Sequence, residues 1–320
     1  MNRKIIPIFL IVFVLFTPFQ SFAEMSEEEI EAEIERIVSE NGPVNFDVAI
    51  LLINVGEINK YRGTYELDFW YTIISEDIDF TEIPPPKIDF TNGRIDEASS
   101  TYVEEHYFEE RVRGTFYGSM DFRNFPFEKI ILDVELEPVR PWTVSQGVFH
   151  VDPDSGVDIT ANVPGWEMGE PDFRIEEHTY EEDEETYSRY VGTFVVERSP
   201  LGSFMKTIFP VTIITVISLI SFWIPENFSA RIYLTTPTLL ALVFLHMSNL
   251  EQLPPLGYLT IFDKIMVPFY ALFLANIVTI GMQMRLYHYK QVEKAIHFNK
   301  IMRYLIPVII IGLFGMLLPF

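Results

Sequence analysis

The chain is constrained first by four apolar runs in residues 201–320, at about 203–223, 231–249, 260–284 and 301–319. Each is close to the ~20 residues that a helix needs to cross a bilayer core. One of them, RIYLTTPTLLALVFLHMSNLE (residues 231–251), is unlike an ordinary span. It sets Thr235, Thr236 and Thr238 around Pro237, with Arg231 at one end and Glu251 at the other.

The rest of the chain has the opposite character. Residues 24–200 hold 42 acidic and 13 basic side chains, a net −29, whereas residues 201–320 hold 4 and 8, a net +4. Such asymmetry predicts two environments, one aqueous and one lipid. The acidic surface excludes nucleic acid as a partner, because binding phosphate requires positive charge. Residues 1–23 read as a signal peptide: MNRK is a basic start, IIPIFLIVFVLF an apolar centre, and Ser21-Phe22-Ala23 a cleavage site. An uncleaved anchor is the other reading. Export places the acidic half outside the cell, and with no cysteine no disulfide framework holds it. The segment between the third and fourth runs, about 285–300, is basic and therefore cytoplasmic. Both lines predict four crossings with the two ends outside.

Within residues 24–200 the pattern predicts a short amphipathic helix over 26–40, with Ser26 and Glu29 in capping-box form. Strands rich in β-branched and aromatic residues follow at VNFDVAILLINV, at TYELDFWYTII, near 101–117, 130–136, 146–151 and 172–178, and at 187–198. Turns rich in Pro, Gly, Asn and Asp separate them. The fold class expected is an all-β immunoglobulin-like sandwich with a short N-terminal helix, followed by a four-helix transmembrane domain from residue 201.

The stretch MDFRNFPFE (120–128) is a tight aromatic turn at Pro126. It resembles the loop that names the Cys-loop receptors, the pentameric ligand-gated ion channels. Gly118 and Leu132 stand where the family's cysteines would be, which is similar to the bacterial branch. PPPKIDFTN (84–92), ELEPVRPW (135–142) and PGWEMGEPDF (164–173) resemble further family segments in the family's order. So do Arg198 twelve residues before Pro210, SARIYLTTPTLLALVF, and QLPPLGY (252–258). The resemblance implies a homopentamer in a bacterial inner membrane, its sandwich in the periplasm or outside, with permeant ions as partners and no required cofactor.

Steps of three and four residues set Tyr233, Pro237, Leu240, Phe244, Met247 and Glu251 on one helix face. The resemblance assigns that face to the pore. Rings of Leu240 and Phe244 would gate by dewetting. Pro237 removes a donor and crowds the Tyr233 carbonyl, with the threonine hydroxyls expected to relieve it; it reads as a static kink or as a hinge. For selectivity, Glu226 and Arg231 are candidate charges at the inner mouth. The Ser229-Ala230-Arg231 pattern is similar to anion channels, while Glu251 and the acidic outer domain favour cations.

The family's ligand site lies between subunits, under the hairpin that here reads HTYEEDEETYSRY, five carboxylates between Tyr180 and Tyr187. Glu137 and Trp142 offer an acid and an aromatic for an ammonium group, with Trp70 and Tyr102 across the interface. The ligand classes expected are a small cation such as an amine, a divalent ion, or protons. Asp152, Asp154 and Asp158 in DPDSGVD form a candidate calcium site for modulation. Arg198 beside the membrane needs an acidic partner; the resemblance implies Glu128 or Asp121 in the Pro126 loop, which with Pro254 would form the coupling region. No catalytic triad or phosphate-binding loop is present in the sequence, so a non-conducting receptor is the alternative from a different class, and an anion channel the alternative within the family.

Overall fold

In a computed structural model, residues 26–182, 184–224 and 228–317 are described. The expected signal peptide and Glu226 lie outside them. Helix α1 (Glu27–Asn41) starts as the sequence predicts, with Ser26 and Glu29 closing a reciprocal capping box, and Ile34 seals it to the sandwich.

One sheet runs β4 (Gly93–Glu104), β5 (Tyr107–Tyr117), β2 (Thr64–Ile74), β1 (Val44–Asn59), β7 (Gly147–Val151), with β8 (Gly156–Val157) added to β1. The facing sheet runs β10 (Asp172–Tyr180), β11 (Glu185–Glu197), β6 (Lys129–Pro138), β3 (Ile88–Phe90), with β9 (Glu167–Met168) on β11. Alternation fills the space between them. Phe46, Val48, Ile50 and Leu52 of β1 and Ile130, Leu132, Val134 and Leu136 of β6 are all fully buried in one core between the sheets. The expected strand near 101–117 is in fact a hairpin. Strand β4 lacks period-two hydrophobicity because it is exposed along almost its whole length, at the sheet edge, so the sequence pattern does not announce it.

Four helices long and apolar enough to cross a membrane follow. The first span is Pro200–Trp223. It is built from α2 (Pro200–Ser203), a π turn at Phe204–Ile208 and α3 (Phe209–Ile220), and a 3-10 turn closes it. Pro210 has no N–H to give the preceding turn, which widens there. Next come α4 (Phe228–Leu250), α5 (Ile261–His288) and α6 (Val292–Leu317). Thr260 and Asp263 cap α5 with a second capping box. The basic connection expected over 285–300 is mostly helical, leaving Tyr289, Lys290 and Gln291 between α5 and α6. Charged residues do not end a helix; they carry it beyond the apolar layer into water.

Polar side chains stitch the bundle where lipid cannot solvate them. Asn276 of α5 is fully buried and donates to Ser218 O at 3.0 Å and Ser221 Oγ at 2.9 Å. Arg303 of α6 donates to Phe222 O at 2.9 Å.

In the sandwich, Asp68 is 6% exposed and receives Arg111 Nε at 2.8 Å and Arg113 Nη2 at 3.0 Å. The hydrogen bond from Arg111 holds its carboxyl below the usual range, against burial. The folded value is then below the unfolded one near 3.9. The pairing therefore stabilises the fold above that pH and is lost as pH falls through the folded value. We expect Asp68→Asn to lower the thermal unfolding temperature at pH 7, by a loss of about 1–3 kcal/mol, and the deficit to shrink toward pH 3. A deficit unchanged by acid would contradict this.

Candidate functional site

Helix α4 has two unlike faces. Thr235 and Leu242 are fully buried, and Arg231 and Asn249 nearly so, against the other helices of the chain. On the opposite face Tyr233 is 78% exposed, Leu240 68%, Phe244 76% and Met247 55%. Pro237 and Glu251 are exposed in the same line. All six residues expected along the pore thus share one unpartnered face. Arg231 does not belong with them, which corrects its expected place at the pore mouth. Its Nε donates to Ile224 O at 2.9 Å, and Nη1 reaches Gln283 of α5 and Asn299 of α6. A guanidinium at the end of a span gains more from carbonyl and amide partners than from an apolar rim. The threonine expectation also needs correction. Thr235 donates to Arg231 O at 2.9 Å and Thr238 to Leu234 O at 2.8 Å. These carbonyls flank that of Tyr233, the one left without a partner by Pro237, because a hydroxyl reaches back to its own i−4 carbonyl.

Three loops of the sandwich meet the helices at a buried charge. Glu128, 0% exposed, accepts from Lys60 Nζ at 2.7 Å and faces Arg198 Nε at 3.0 Å. Trp166 lies beside both cations, 5.1 Å from Lys60 Nζ and 5.0 Å from the Arg198 guanidinium carbon. Burial lowers the Lys60 pKa, against the opposing pull of Glu128. Arg198 is thus brought to Glu128 as expected, while Asp121 is turned away, exposed and paired with Arg123 at 2.7 Å. Asp121 is only two residues from Arg123, so the local pair forms at small entropic cost. Lys60 and Trp166 were not read from the sequence. Around this cluster the Phe125-Pro126 turn seats itself on α5, with Ile261 N donating to Arg123 O and Phe262 N to Phe125 O. Phe125 packs edge-on against Phe262 at 5.9 Å. The β1–β2 turn reaches the outer end of α4, Tyr61 Oη donating to Glu251 O. Tyr258, near Pro254, accepts from Phe122 N at 3.0 Å.

At the other end of the sandwich the β10–β11 hairpin borders a cavity of about 330 Å³, lined by Asp89, Glu137, Arg140, Tyr180, Glu185 and Tyr187. The expected Glu137, Tyr180 and Tyr187 therefore converge. Glu137 is nevertheless not a vacant acid for an ammonium group. It is 3% exposed and accepts from Arg189 Nε, from Tyr180 Oη at 2.8 Å, and lies 2.9 Å from His178 Nδ1. A carboxylate so deeply buried must be paired. Burial and the Glu137 carboxylate push Tyr180 up to about 12. Trp142 is 3% exposed and packs edge-on to Phe46 at 5.0 Å, so it belongs to the core and is not a wall of this cavity. Trp70 and Tyr102 stand on the opposite sheet, in β2 and β4, away from this cavity.

The DPDSGVD turn spends its carboxylates locally. Asp152 Oδ1 accepts from Asp154 N at 2.7 Å, and Asp158 Oδ1 from Thr160 N at 2.7 Å. Among the described residues no three His, Asp or Glu side chains are gathered to hold a metal ion, which corrects the expected clustering of Asp152, Asp154 and Asp158.

No family model matches the chain. It is 25% identical over 141 residues to the acetylcholine receptor subunit alpha-type deg-3 of Caenorhabditis elegans, covering 42% of this chain and 24% of that protein. The match thus spans about a quarter of the relative's length. Together with a sandwich followed by four apolar helices, it fits the Cys-loop superfamily and describes a multi-pass membrane protein.

Removing one partner of a buried charge cluster leaves the others uncompensated, at a cost of about 3–5 kcal/mol. We expect Glu128→Gln to destabilise the chain by that order in thermal unfolding. Adding Lys60→Gln should restore part of the loss, since one stranded cation is then removed. Additive losses in the double variant would show that the three groups do not act together.

Proposed function

We propose that this chain is the subunit of a homopentameric ligand-gated ion channel of the branch without the loop disulfide. The sandwich faces the periplasm or the exterior, and α4 from each subunit lines the pore. The observation that carries the reading is the face Tyr233–Pro237–Leu240–Phe244–Met247–Glu251. It lies bare on one side of a helix whose other side is buried, and α4 is the least apolar of the four spans. Thr236 and Ser248 are exposed beside it. A helix turned to lipid has no use for a carboxylate, hydroxyls and a proline on its bare side. Five copies facing one another give them water.

In this arrangement Leu240 and Phe244 form the apolar constriction and Glu251 the outer ring. With Arg231 withdrawn into the bundle and the outer domain at a net −29, the fixed charge favours cations. The cavity beneath the β10–β11 hairpin takes the ligand, a small cation or protons, with Trp70 and Tyr102 supplied by the neighbouring subunit. The acetylcholine receptor subunit matched above supports ligand gating as a class. Movement of the sandwich reaches α4 through Glu128–Arg198, Tyr61 and the Pro254 loop.

Reconstitution of the full chain in planar bilayers tests this. Current should appear and reverse near the cation equilibrium potential in asymmetric salt. Leu240→Ser should raise basal current several-fold, and Glu251→Lys should lower the cation-to-anion permeability ratio. Absence of current across acid, amine and divalent-ion conditions would overturn the channel reading in favour of a non-conducting receptor. A reversal potential at the anion value would overturn the selectivity alone.

A further inference from the structure

His178 on β10 carries a hydrogen-bond conflict. Its Nδ1 lies 2.9 Å from Glu137 Oε1, an acceptor, and 2.7 Å from Arg189 Nη2, a donor. One ring nitrogen is either a donor or an acceptor, never both. With the imidazole neutral and its proton on Nε2, Nδ1 accepts from Arg189. Arg189 then bridges His178 and Glu137, because its Nε also donates to Glu137 Oε1. With the imidazole protonated, Nδ1–H donates to Glu137, and the Arg189 N–H faces a like charge at a distance that neither group tolerates.

The groups facing His178 come from every strand packed around it. Strand β6 supplies Glu137 and Glu135, and β11 supplies Arg189, Tyr187 opposite in register, and Glu185 held by Arg140 at 2.7 Å. Strand β10 itself supplies Tyr180, and Glu176 paired with Arg174; β3 adds Asp89 opposite Glu137. Arg189 has an alternative partner already in place, with Nη1 3.0 Å from Glu135 Oε2. Two arrangements of the same groups are therefore available. In one, Arg189 binds His178; in the other it draws off toward Glu135 and His178 takes over Glu137.

The hairpin reports which one holds. The rings of His178 and Tyr180 meet edge-on at 4.5 Å, and Tyr180 also donates to Glu137 and lines the cavity. Tyr187 follows at 5.8 Å from Tyr180. Displacing the imidazole from Arg189 moves the tyrosine wall with it. The His178 side chain is 36% exposed, so protons reach it.

We propose that the His178–Glu137–Arg189 cluster is a proton-binding site, and that its occupancy sets the position of the β10–β11 hairpin over the cavity. This rests on the reading of that cavity as the ligand site, and it names the proton as the ligand class that the site itself is built to register.

Because the chain contains no cysteine, Glu182→Cys gives a single attachment point for bimane, a fluorophore quenched by nearby tyrosine. The labelled full-length protein, in liposomes, is titrated from pH 8 to 5.5 while current is recorded in parallel. The fluorescence should change as the pH falls through this range. His178→Gln should abolish the change, and His178→Lys, charged throughout, should give the low-pH signal already at pH 8. A flat titration in the parent, or one that survives His178→Gln, overturns the proposal even where current flows. A titration that follows His178 without current at any pH, nor with amines or divalent ions added, upholds the proton site and overturns the channel reading instead.

Discussion

The joint between the two halves of this molecule depends on one carboxylate that water does not reach. Glu128 at 0% exposure is held by Lys60 and Arg198, and Trp166 lies beside both cations. These residues come from the β1–β2 turn, the loop after Pro126, the loop before β9 and the end of β11 that runs directly into the first span. Desolvating such a cluster costs several kcal/mol per ion, and only good geometry recovers it. The cluster ties the β1–β2 turn and the loop after Pro126 to the chain that enters the first span.

The same logic of satisfied and unsatisfied faces divides α4. Toward its own subunit it offers Arg231, Thr235, Leu242, His246 and Asn249, each packed or hydrogen-bonded; His246 reaches Tyr270 Oη at 2.9 Å and Asp263 at 3.2 Å. Away from it, the helix offers nothing that the subunit can cover. Pro237 falls between the polar anchors at Thr235 and His246, on the face that carries Leu240 and Phe244. The threonine hydroxyls reinforce the carbonyls on either side of Tyr233 and leave that of Tyr233 itself unreinforced. The backbone hydrogen bonding of α4 is therefore weakest one turn before Pro237.

Much of this was legible in the sequence, and for identifiable reasons. Hydropathy marks the spans because a helix satisfies its own backbone in lipid and needs about twenty apolar residues to cross it. Period-three-and-four steps place Tyr233 through Glu251 on one face because helical geometry leaves no choice. A charge beside a membrane needs a partner, and the family resemblance offered Glu128 or Asp121; the structure pairs Arg198 with Glu128. Lys60 and Trp166 escaped because they lie far from Glu128 in sequence, and nothing local marks their convergence. Arg231 was misplaced because a charge at a helix end reads alike whether it faces a pore or its own bundle. Its i+4 neighbour Thr235 lies on the buried face too, and was a signal that went unused. Glu137 looked available for a ligand because sequence shows an acid and not the Arg189 that occupies it.

The central claim is that the bare face of α4 meets water in a channel. A chain without cysteines allows a direct test by introducing one cysteine at each position from Ile232 to Glu251 in turn and exposing reconstituted protein to a charged, membrane-impermeant thiol reagent during current recording. The account predicts block at 233, 237, 240, 244, 247 and 251, with 235, 242 and 249 protected. Block without that period, or modification concentrated on the face of 235 and 242, would contradict it.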